Sequence, residues 1–183
     1  MIRVFDIIFS FIGLICGFPV LLIISLLGLL DTGAPIFLQE RVGLNKNSFT
    51  LVKFRTMSKN TETVASHFVS CASITPLGKF LRKTKLDELP QLWNVLKGEM
   101  SLVGPRPNLL NQHELINARE ILGVYSVRPG ITGLAQIRGI DMSTPELLAR
   151  TDTEMIASMS LVNYFKYIFL TIAGKGQGDR VAY

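Results

Sequence analysis

Residues 82–107 read RKTKLDELPQLWNVLKGEMSLVGPRP and carry the most informative side chains of the chain. The adjacent acids Asp87 and Glu88 follow a basic segment that includes Arg82, and GPRP at residues 104–107 comes one short helix later. Two prolines stiffen the backbone of this turn, which lowers the entropy cost of presenting its arginine to a phosphate. The stretch therefore predicts a site for a metal ion and phosphate groups.

These residues also have a purely structural interpretation. Pro90 is tolerated only in the first turn of a helix, so we expect a helix that begins at or near Asp87 and ends before Gly98. Carboxylates at a helix amino terminus cap free N–H groups and match the helix dipole, whether or not they also bind a metal or attack a substrate. Arg106 is equally suited to bind main-chain carbonyls, so both interpretations stay open here.

The beginning of the chain predicts a membrane helix. Residues 7–30 contain no charged side chain, and a helix of this length extends about 36 Å, enough to cross a bilayer core of about 30 Å. Pro19 is expected to kink or break this helix beside Phe18, and positive residues flank both ends. We interpret the segment as a re-entrant helix that returns to the side it entered from. A spanning helix with a tolerated proline stays open.

The remaining patterns predict an α+β fold that is mostly helical. Alternation predicts a small β-hairpin from residues 36–41 and 48–54, and it places Lys53 and Arg55 on one face, where they suit a phosphate, a lipid headgroup or solvent.

Turn residues and caps predict the elements beyond the hairpin: a loop at residues 58–73 containing His67, helices at 75–86, at 108–123 and from 143, and a compact 127–133 loop with a type II turn at Pro129 and Gly130. An amphipathic helix at residues 155–173 fits the membrane interface or the core.

Composition restricts the partners of the chain. The formal net charge is +5, which favours an anionic partner such as a phosphorylated metabolite or a membrane surface. A single tryptophan and scattered cations argue against a nucleic-acid groove, so no nucleic acid is expected. Cys16 lies in the apolar run and Cys71 outside it, so we expect no disulfide between them and no zinc site.

Six sequence blocks together resemble a known family. They are Phe5-Asp6 with the proline-containing apolar helix, Gln39-Glu40-Arg41-Val42-Gly43, Lys53-Phe54-Arg55-Thr56-Met57, Leu86-Asp87-Glu88-Leu89-Pro90-Gln91, Gly104-Pro105-Arg106-Pro107, and Val127-Arg128-Pro129-Gly130-Ile131-Thr132-Gly133-Leu134-Ala135-Gln136. In this order and spacing they resemble the small monotopic phosphoglycosyl transferases that act on polyprenyl phosphate, also called bacterial sugar transferases.

The resemblance implies an activity and a location. Such enzymes move a sugar phosphate from a UDP-sugar to undecaprenyl phosphate and release UMP, in the first membrane step of O-antigen, capsule or other surface glycan assembly. The helix is then re-entrant, with interfacial helices beside it, and the catalytic domain lies on the cytoplasmic face of the bacterial inner membrane. The division implied is a membrane helix at residues 1–31, a catalytic domain at 32–173 and a tail at 174–183.

The resemblance also implies roles for individual residues. Asp87 matches the nucleophile that forms an aspartyl phosphosugar, and Glu88 matches a ligand of Mg²⁺. The residues that match substrate-binding or phosphate-holding positions are Arg82, Arg106, Lys53, Arg55, Arg128 and Gln136. Lys85 departs from the small residue frequent at its position, and Arg138 departs from an asparagine common near the contacts to the nucleotide.

Two rival functions stay open. One is a non-enzymatic module that binds anionic lipid. The other is a membrane-bound phosphohydrolase that uses the same aspartate with water as the acceptor. A homodimer is kept as a candidate assembly, and no residue is assigned to a substituent of the sugar ring.

Overall fold

The computed structural model describes residues 1–59 and 73–176 and confirms the mostly helical α+β class. The helices are α1 (Ile2–Thr32), α2 (Pro76–Thr84), α3 (Gln91–Lys97), α4 (His113–Ile121), α5 (Leu134–Arg138), α6 (Pro145–Ala157) and α7 (Leu161–Ile172). The strands are β1 (Ile36–Val42), β2 (Ser48–Phe54), β3 (Ser101–Val103) and β4 (Gly130–Thr132). His67, Cys71 and residues 177–183 lie outside the described part.

Helix α1 packs one face against the rest of the fold along most of its length. That face recurs every three or four residues, as an amphipathic helix requires, and consists of Asp6, Ser10, Gly13, Gly17, Leu21, Ile24 and Gly28. At Gly13 an added Cβ would lie 2.9 Å from the Leu92 side chain, so a small residue lets α3 approach closely. The opposite face exposes large apolar side chains such as Phe11, Phe18 and Leu26.

Pro19 does not end the helix. The helix runs without interruption from Ile2 to Thr32 with Pro19 inside it, so the predicted break at Phe18 and Pro19 is corrected, while a bend there stays a prediction. An apolar helix of this length passes the length and composition test for a membrane span. Its re-entrant path stays a prediction.

The acid at the start of α1 is anchored in the fold. Asp6 is buried, and its Oδ1 accepts hydrogen bonds from the Ser101 hydroxyl (3.0 Å), the Leu102 amide (3.0 Å) and the Tyr164 hydroxyl (2.9 Å). A buried carboxylate needs such donors to replace the water it loses. The contact fixes α1 to both β3 and α7.

The predicted β-hairpin is confirmed. Strands β1 and β2 pair antiparallel with Ile36 opposite Phe54 and Val42 opposite Ser48. The cap predicted for the next helix is also confirmed, because the Thr75 hydroxyl accepts a hydrogen bond from the Gly78 amide and Pro76 opens α2. This helix ends two residues earlier than predicted.

Several predicted helix bounds are wrong. The acid pair does not open α3 but lies in a 3₁₀ turn, Leu86–Glu88, because Lys85 before it adopts a left-handed conformation with φ of 59°. The polar helix predicted from residue 108 begins at His113. The amphipathic helix predicted from Met155 begins at Leu161, because Ser160 caps it by accepting a hydrogen bond from the Asn163 amide.

The predicted type II turn at Pro129 and Gly130 is also wrong. Gly130 has no positive φ and opens strand β4, which pairs in parallel with β3. An added Cβ on Gly130 would lie 2.0 Å from the Gly104 amide nitrogen. The glycine is required by the close approach of two backbones, and this contact places the 127–133 segment directly beside residues 104–107.

Candidate active site

The 3₁₀ turn Leu86–Glu88 and the 104–107 loop meet through an ion pair. Arg106 Nη2 donates a hydrogen bond of 2.8 Å to Glu88 Oε1, and both side chains are largely buried. A charge-assisted bond in such partial burial is shorter and stronger than a neutral one. Asp87, the neighbour of Glu88, is 7% exposed and lies in the same turn. The structure thus brings both predicted acids and Arg106 together.

A cleft opens on one side of this ion pair. It is lined by Lys85, Glu88, Arg106, Ile131, Thr132, Gln136, Thr171, Lys175 and Gly176. We call it the amide cleft, because Gln136 contributes a carboxamide whose Nε2 and Oε1 are both buried without a hydrogen-bond partner among the described residues. A buried donor and acceptor left unpaired are costly, and a bound ligand is one way to satisfy them.

Arg106 also lines a second cleft. Its other lining residues are Arg41, Leu51, Lys53, Gln91 and Pro107. We call it the cationic cleft, because three of its six lining residues are basic. Of these, only Lys53 and Arg106 were predicted to contact a substrate. Arg41 stood in a block that carries the family resemblance, without a role of its own.

Lys53 and Arg55 share one face of β2, as predicted. The Lys53 ammonium lies 5.5 Å and the Arg55 guanidinium 5.2 Å from the centre of the Phe37 ring, a cation–π arrangement. Arg55 also donates to the Ala34 carbonyl at 2.9 Å, where the chain leaves α1. Lys53 lines the cationic cleft, whereas Arg55 does not.

The other two predicted arginines line neither the amide cleft nor the cationic cleft. Arg82 on α2 donates through Nε to the Thr56 hydroxyl at 2.9 Å, next to the end of β2. Arg128 donates through Nε to the Gly98 carbonyl at 2.8 Å and lines neither the amide nor the cationic cleft. The Arg128 guanidinium bonds the carbonyl that ends α3.

Lys85 is a cleft residue that was not assigned a role from the sequence. Its Nζ donates to the main-chain carbonyls of Thr171 (3.3 Å) and Lys175 (2.8 Å), which ties the end of α7 to the acid pair. Burial lowers the pKa of Lys85 below its ordinary value, Glu88 opposes the shift and Arg106 adds to it. The departure of Lys85 from the family pattern was the only signal in the sequence.

The donor set at the turn suits a hard cation. Asp87 and Glu88 offer carboxylate oxygens at adjacent positions, and Mg²⁺ is commonly held by one or two carboxylates together with the phosphate oxygens of its substrate. Within residues 1–59 and 73–176, no group of three or more acids, histidines or cysteines is close enough to hold a metal by itself.

Comparison with known proteins gives a consistent result. The family model described as bacterial sugar transferase matches residues 1–176. Galactosyl transferase CpsE of Streptococcus agalactiae is 37% identical over 185 residues, covering 93% of this chain and 41% of the relative. The UDP-glucose:undecaprenyl-phosphate glucose-1-phosphate transferase of Klebsiella pneumoniae is 39% identical, covering 99% of this chain and 41% of the relative.

Shorter relatives are matched over most of their length. The uncharacterized sugar transferase EpsL of Bacillus subtilis is 36% identical over 171 residues, which cover 93% of this chain and 84% of the relative. The chain thus corresponds to less than half of the longer relatives and to most of the small form.

Proposed function

The chain belongs to the bacterial sugar transferase family, and on this basis we propose that it transfers a sugar 1-phosphate from a UDP-sugar to undecaprenyl phosphate with release of UMP. The observation that carries the proposal is the Glu88–Arg106 ion pair beside Asp87, with Arg106 lining both clefts. The name of the Klebsiella relative states a reaction of this class for that protein.

In the first step, Asp87 is the nucleophile. Its carboxylate attacks the phosphorus that carries the sugar, the bond from that phosphorus to the UMP oxygen breaks, and an aspartyl phosphosugar forms. Arg106 holds the phosphate oxygens as their charge redistributes. Burial of Asp87 keeps water away from the intermediate, so hydrolysis does not compete with transfer.

Glu88, the second acid of the pair, has a different role from Asp87. Glu88 would hold Mg²⁺, which when bound neutralises charge on the diphosphate. Arg106 pairs with Glu88 and holds that carboxylate at the edge of the amide cleft.

In the second step, the lipid phosphate takes the place of UMP. Its oxygen attacks the phosphorus of the intermediate, the bond to Asp87 breaks, and the carboxylate is regenerated. Lys53 in the cationic cleft supplies positive charge for this dianionic acceptor, and Arg55 donates to the Ala34 carbonyl where the chain leaves the membrane helix. Since both substrates react with the same aspartate in turn, ping-pong kinetics are expected.

The packing of α1 supports a re-entrant path on the cytoplasmic face of the inner membrane. The rest of the fold contacts α1 from Asp6 to Gly28, a distance of about 33 Å along a helix. If α1 crossed the bilayer upright, this charged and polar fold would have to occupy the hydrocarbon region, which is costly. A helix that bends near Pro19 at a shallow depth and returns to the same side avoids this cost. The exposed apolar side chains of α7, Phe169 among them, then lie in the interface.

The test is UMP release from a panel of UDP-sugars with Mg²⁺, with and without undecaprenyl phosphate, for the wild type and Asp87→Asn. We expect multiple-turnover release that depends on undecaprenyl phosphate, at most one UMP per enzyme without the lipid, and loss of both in the variant. Release of sugar phosphate without the lipid would favour a phosphohydrolase. Absence of UMP with every sugar, or full activity of Asp87→Asn, would contradict the proposal and favour a lipid-binding module.

A further inference from the structure

We propose that Arg41 and Arg119 are positioning residues that act through Arg106, because two buried guanidinium groups hold consecutive main-chain carbonyls of the loop that presents it. The kinetic part of this inference rests on the proposed function. The structural part, which concerns how firmly the loop is held, does not.

Arg119 holds the carbonyl of Arg106 itself. It is 1% exposed, and its Nη1 donates to the Arg106 carbonyl at 2.8 Å and to Asn108 Oδ1 at 2.9 Å. On its other edge, Nε and Nη2 donate to Asp152 Oδ2 at 3.0 and 2.7 Å. A planar guanidinium with five donors can satisfy all these acceptors at once, which an ammonium cannot. Arg119 thereby joins the loop to α4 and α6.

Arg41 holds the next carbonyl from the opposite side. Its Nη1 donates to the Pro107 carbonyl at 2.9 Å, and its Nη2 donates to Gln39 Oε1 at 2.5 Å. The side chain is buried and belongs to β1, so this contact joins the loop to the hairpin.

The two guanidinium groups complete a set of four consecutive carbonyl contacts. The Pro105 carbonyl accepts from the Gly130 amide at 2.9 Å and the Asn108 carbonyl from the Val42 amide at 3.0 Å. Pro105 and Pro107 have no N–H, so the loop cannot form a regular hydrogen-bond ladder of its own. Its backbone is instead fixed from outside at each residue from 105 to 108, by contacts from β4, α4 and β1.

This arrangement matters for the side chain of Arg106. Arg106 stands between the amide and cationic clefts, and a displacement of about 1 Å in a group that orients a reacting phosphate can cost as much as 10²-fold in rate. If these residues act by positioning Arg106, their substitution should slow catalysis only while the Arg106 side chain is present.

The kinetic test is a double-mutant cycle with Arg119→Lys and Arg106→Ala. Lysine keeps a charge for Asp152 but cannot also reach both acceptors of Nη1. We expect Arg119→Lys to lower kcat/KM about 10-fold with Arg106 present and to have nearly no further effect with Arg106→Ala. If Arg119→Lys lowered kcat/KM by the same factor with Arg106 and with Arg106→Ala, the proposal would be overturned.

Arg3→Lys is the matched control. Arg3 also donates to main-chain carbonyls, those of Val95 (2.6 Å) and Met100 (3.2 Å), but these belong to α3 and the segment after it. If a residue affects only stability, its substitution should lower kcat/KM by the same factor with and without the Arg106 side chain. We expect this result for Arg3→Lys.

Hydrogen exchange provides a readout that does not need activity. In the full-length protein in detergent, Arg119→Lys should accelerate exchange in the peptide containing residues 104–110 at least about 10-fold, with little change in α1 or the hairpin. If the wild type shows no polyprenyl-dependent UMP release, the proposed function fails and this measurement still decides the positioning. Unchanged exchange at residues 104–110 overturns it.

A milder variant covers the case in which Arg119→Lys does not fold. The Tyr125 hydroxyl donates to Asn108 Oδ1 at 3.0 Å, the same acceptor that Arg119 uses. Tyr125→Phe removes this one bond and should produce a smaller acceleration confined to the same peptide. Acceleration spread over the whole chain would mean general destabilisation and would contradict the proposal.

Discussion

At the scale of single residues, the carboxamide of Gln136 gives the most direct indication of a ligand-binding position. Its donor and its acceptor are buried and unpaired among the described residues, in the cleft that also contains Glu88 and Arg106. Native proteins rarely leave such groups unsatisfied, and those that remain are often found where a substrate binds.

We expect Gln136→Met to preserve or raise the thermal stability of the protein and to weaken binding of the UDP-sugar. Methionine conserves the volume and removes the unpaired polar atoms, so the thermal unfolding midpoint of the ligand-free protein should stay constant or rise. The KM for the UDP-sugar should increase about tenfold, which corresponds to the loss of about 1.4 kcal/mol of binding. Scanning fluorimetry and UMP release measure the two effects.

The control for this prediction is Glu154→Gln on α6. Glu154 forms an exposed ion pair with Arg138 and lines neither cleft, and exposed pairs contribute little to stability. The KM of this variant should stay near that of the wild type. An unchanged KM in Gln136→Met would show that the amide does not contact the donor, and inhibition by UDP then tests whether it contacts any part of the nucleotide.

Some site residues could be predicted from local sequence blocks, whereas others depend on partners far away in the chain. Asp87, Glu88 and Arg106 lie within 20 residues of one another in recognisable blocks, and the structure brings them together. Arg119 is a single cation in an unremarkable polar helix. Its role depends on Asp152, 33 residues further along the chain, and no local pattern indicates such a pairing.

At the scale of elements, the junction between α1 and α7 depends on the bond from Tyr164 to Asp6. Burial raises the pKa of the Tyr164 hydroxyl above its ordinary value, Asp6 raises it further, and Arg3 acts in the opposite direction. The folded protein therefore keeps this proton at a pH where the unfolded chain loses it. The stabilisation is complete below about pH 10, the ordinary pKa of tyrosine, and is lost as the pH rises above it.

Tyr164→Phe should lower the stability at pH 8 by about 1 kcal/mol, the usual net value of a hydrogen bond. Thermal unfolding midpoints measured from pH 8 to pH 11 should fall more steeply for the wild type than for the variant, so that the two curves converge at high pH. Parallel curves would mean that Tyr164 does not titrate differently in the two states.

The parallel pair of β3 and β4 depends on the contact between Gly130 and Gly104. Gly130→Ala should destabilise the protein by at least about 2 kcal/mol, because the new methyl group would meet backbone atoms that cannot move aside. Gly123→Ala is a suitable control, since Gly123 has a positive φ of 68° but no neighbour within 4 Å. Its cost should be about 1 kcal/mol, from backbone strain alone. Thermal unfolding of both variants would measure the difference.

These elements also explain which parts of the fold could be predicted. The hairpin and the Thr75 cap follow from local alternation and capping and were predicted correctly. Strands of three residues, such as β3 and β4, are too short to show a period of two, and their pairing joins segments 29 residues apart. The Pro129-Gly130 dipeptide is typical of a turn. The sequence around it does not reveal that Gly130 instead contacts the backbone of Gly104.

At the scale of the whole molecule, the orientation of α1 decides where the clefts lie relative to the membrane. Its inward face is continuous with the catalytic fold, while the outward face is apolar from Val4 to Leu30. A helix with only one lipid-exposed face suits a shallow, re-entrant position better than an upright span surrounded by lipid. The length and hydropathy of the segment predict only that it enters the membrane.

The re-entrant path predicts that both ends of α1 are on the cytoplasmic side. In a Cys16→Ser, Cys71→Ser background, we expect cysteines introduced at Ile2 and at Leu44, in the hairpin, to be protected from a membrane-impermeant maleimide in intact cells and to react after permeabilisation. Undecaprenyl-dependent UMP release by each variant confirms that it is folded. A spanning helix would expose Ile2→Cys outside while Leu44→Cys stays protected, because the two ends of a single span lie on opposite sides. Protection of both positions would place the two clefts and both ends of α1 on the side that holds the UDP-sugar.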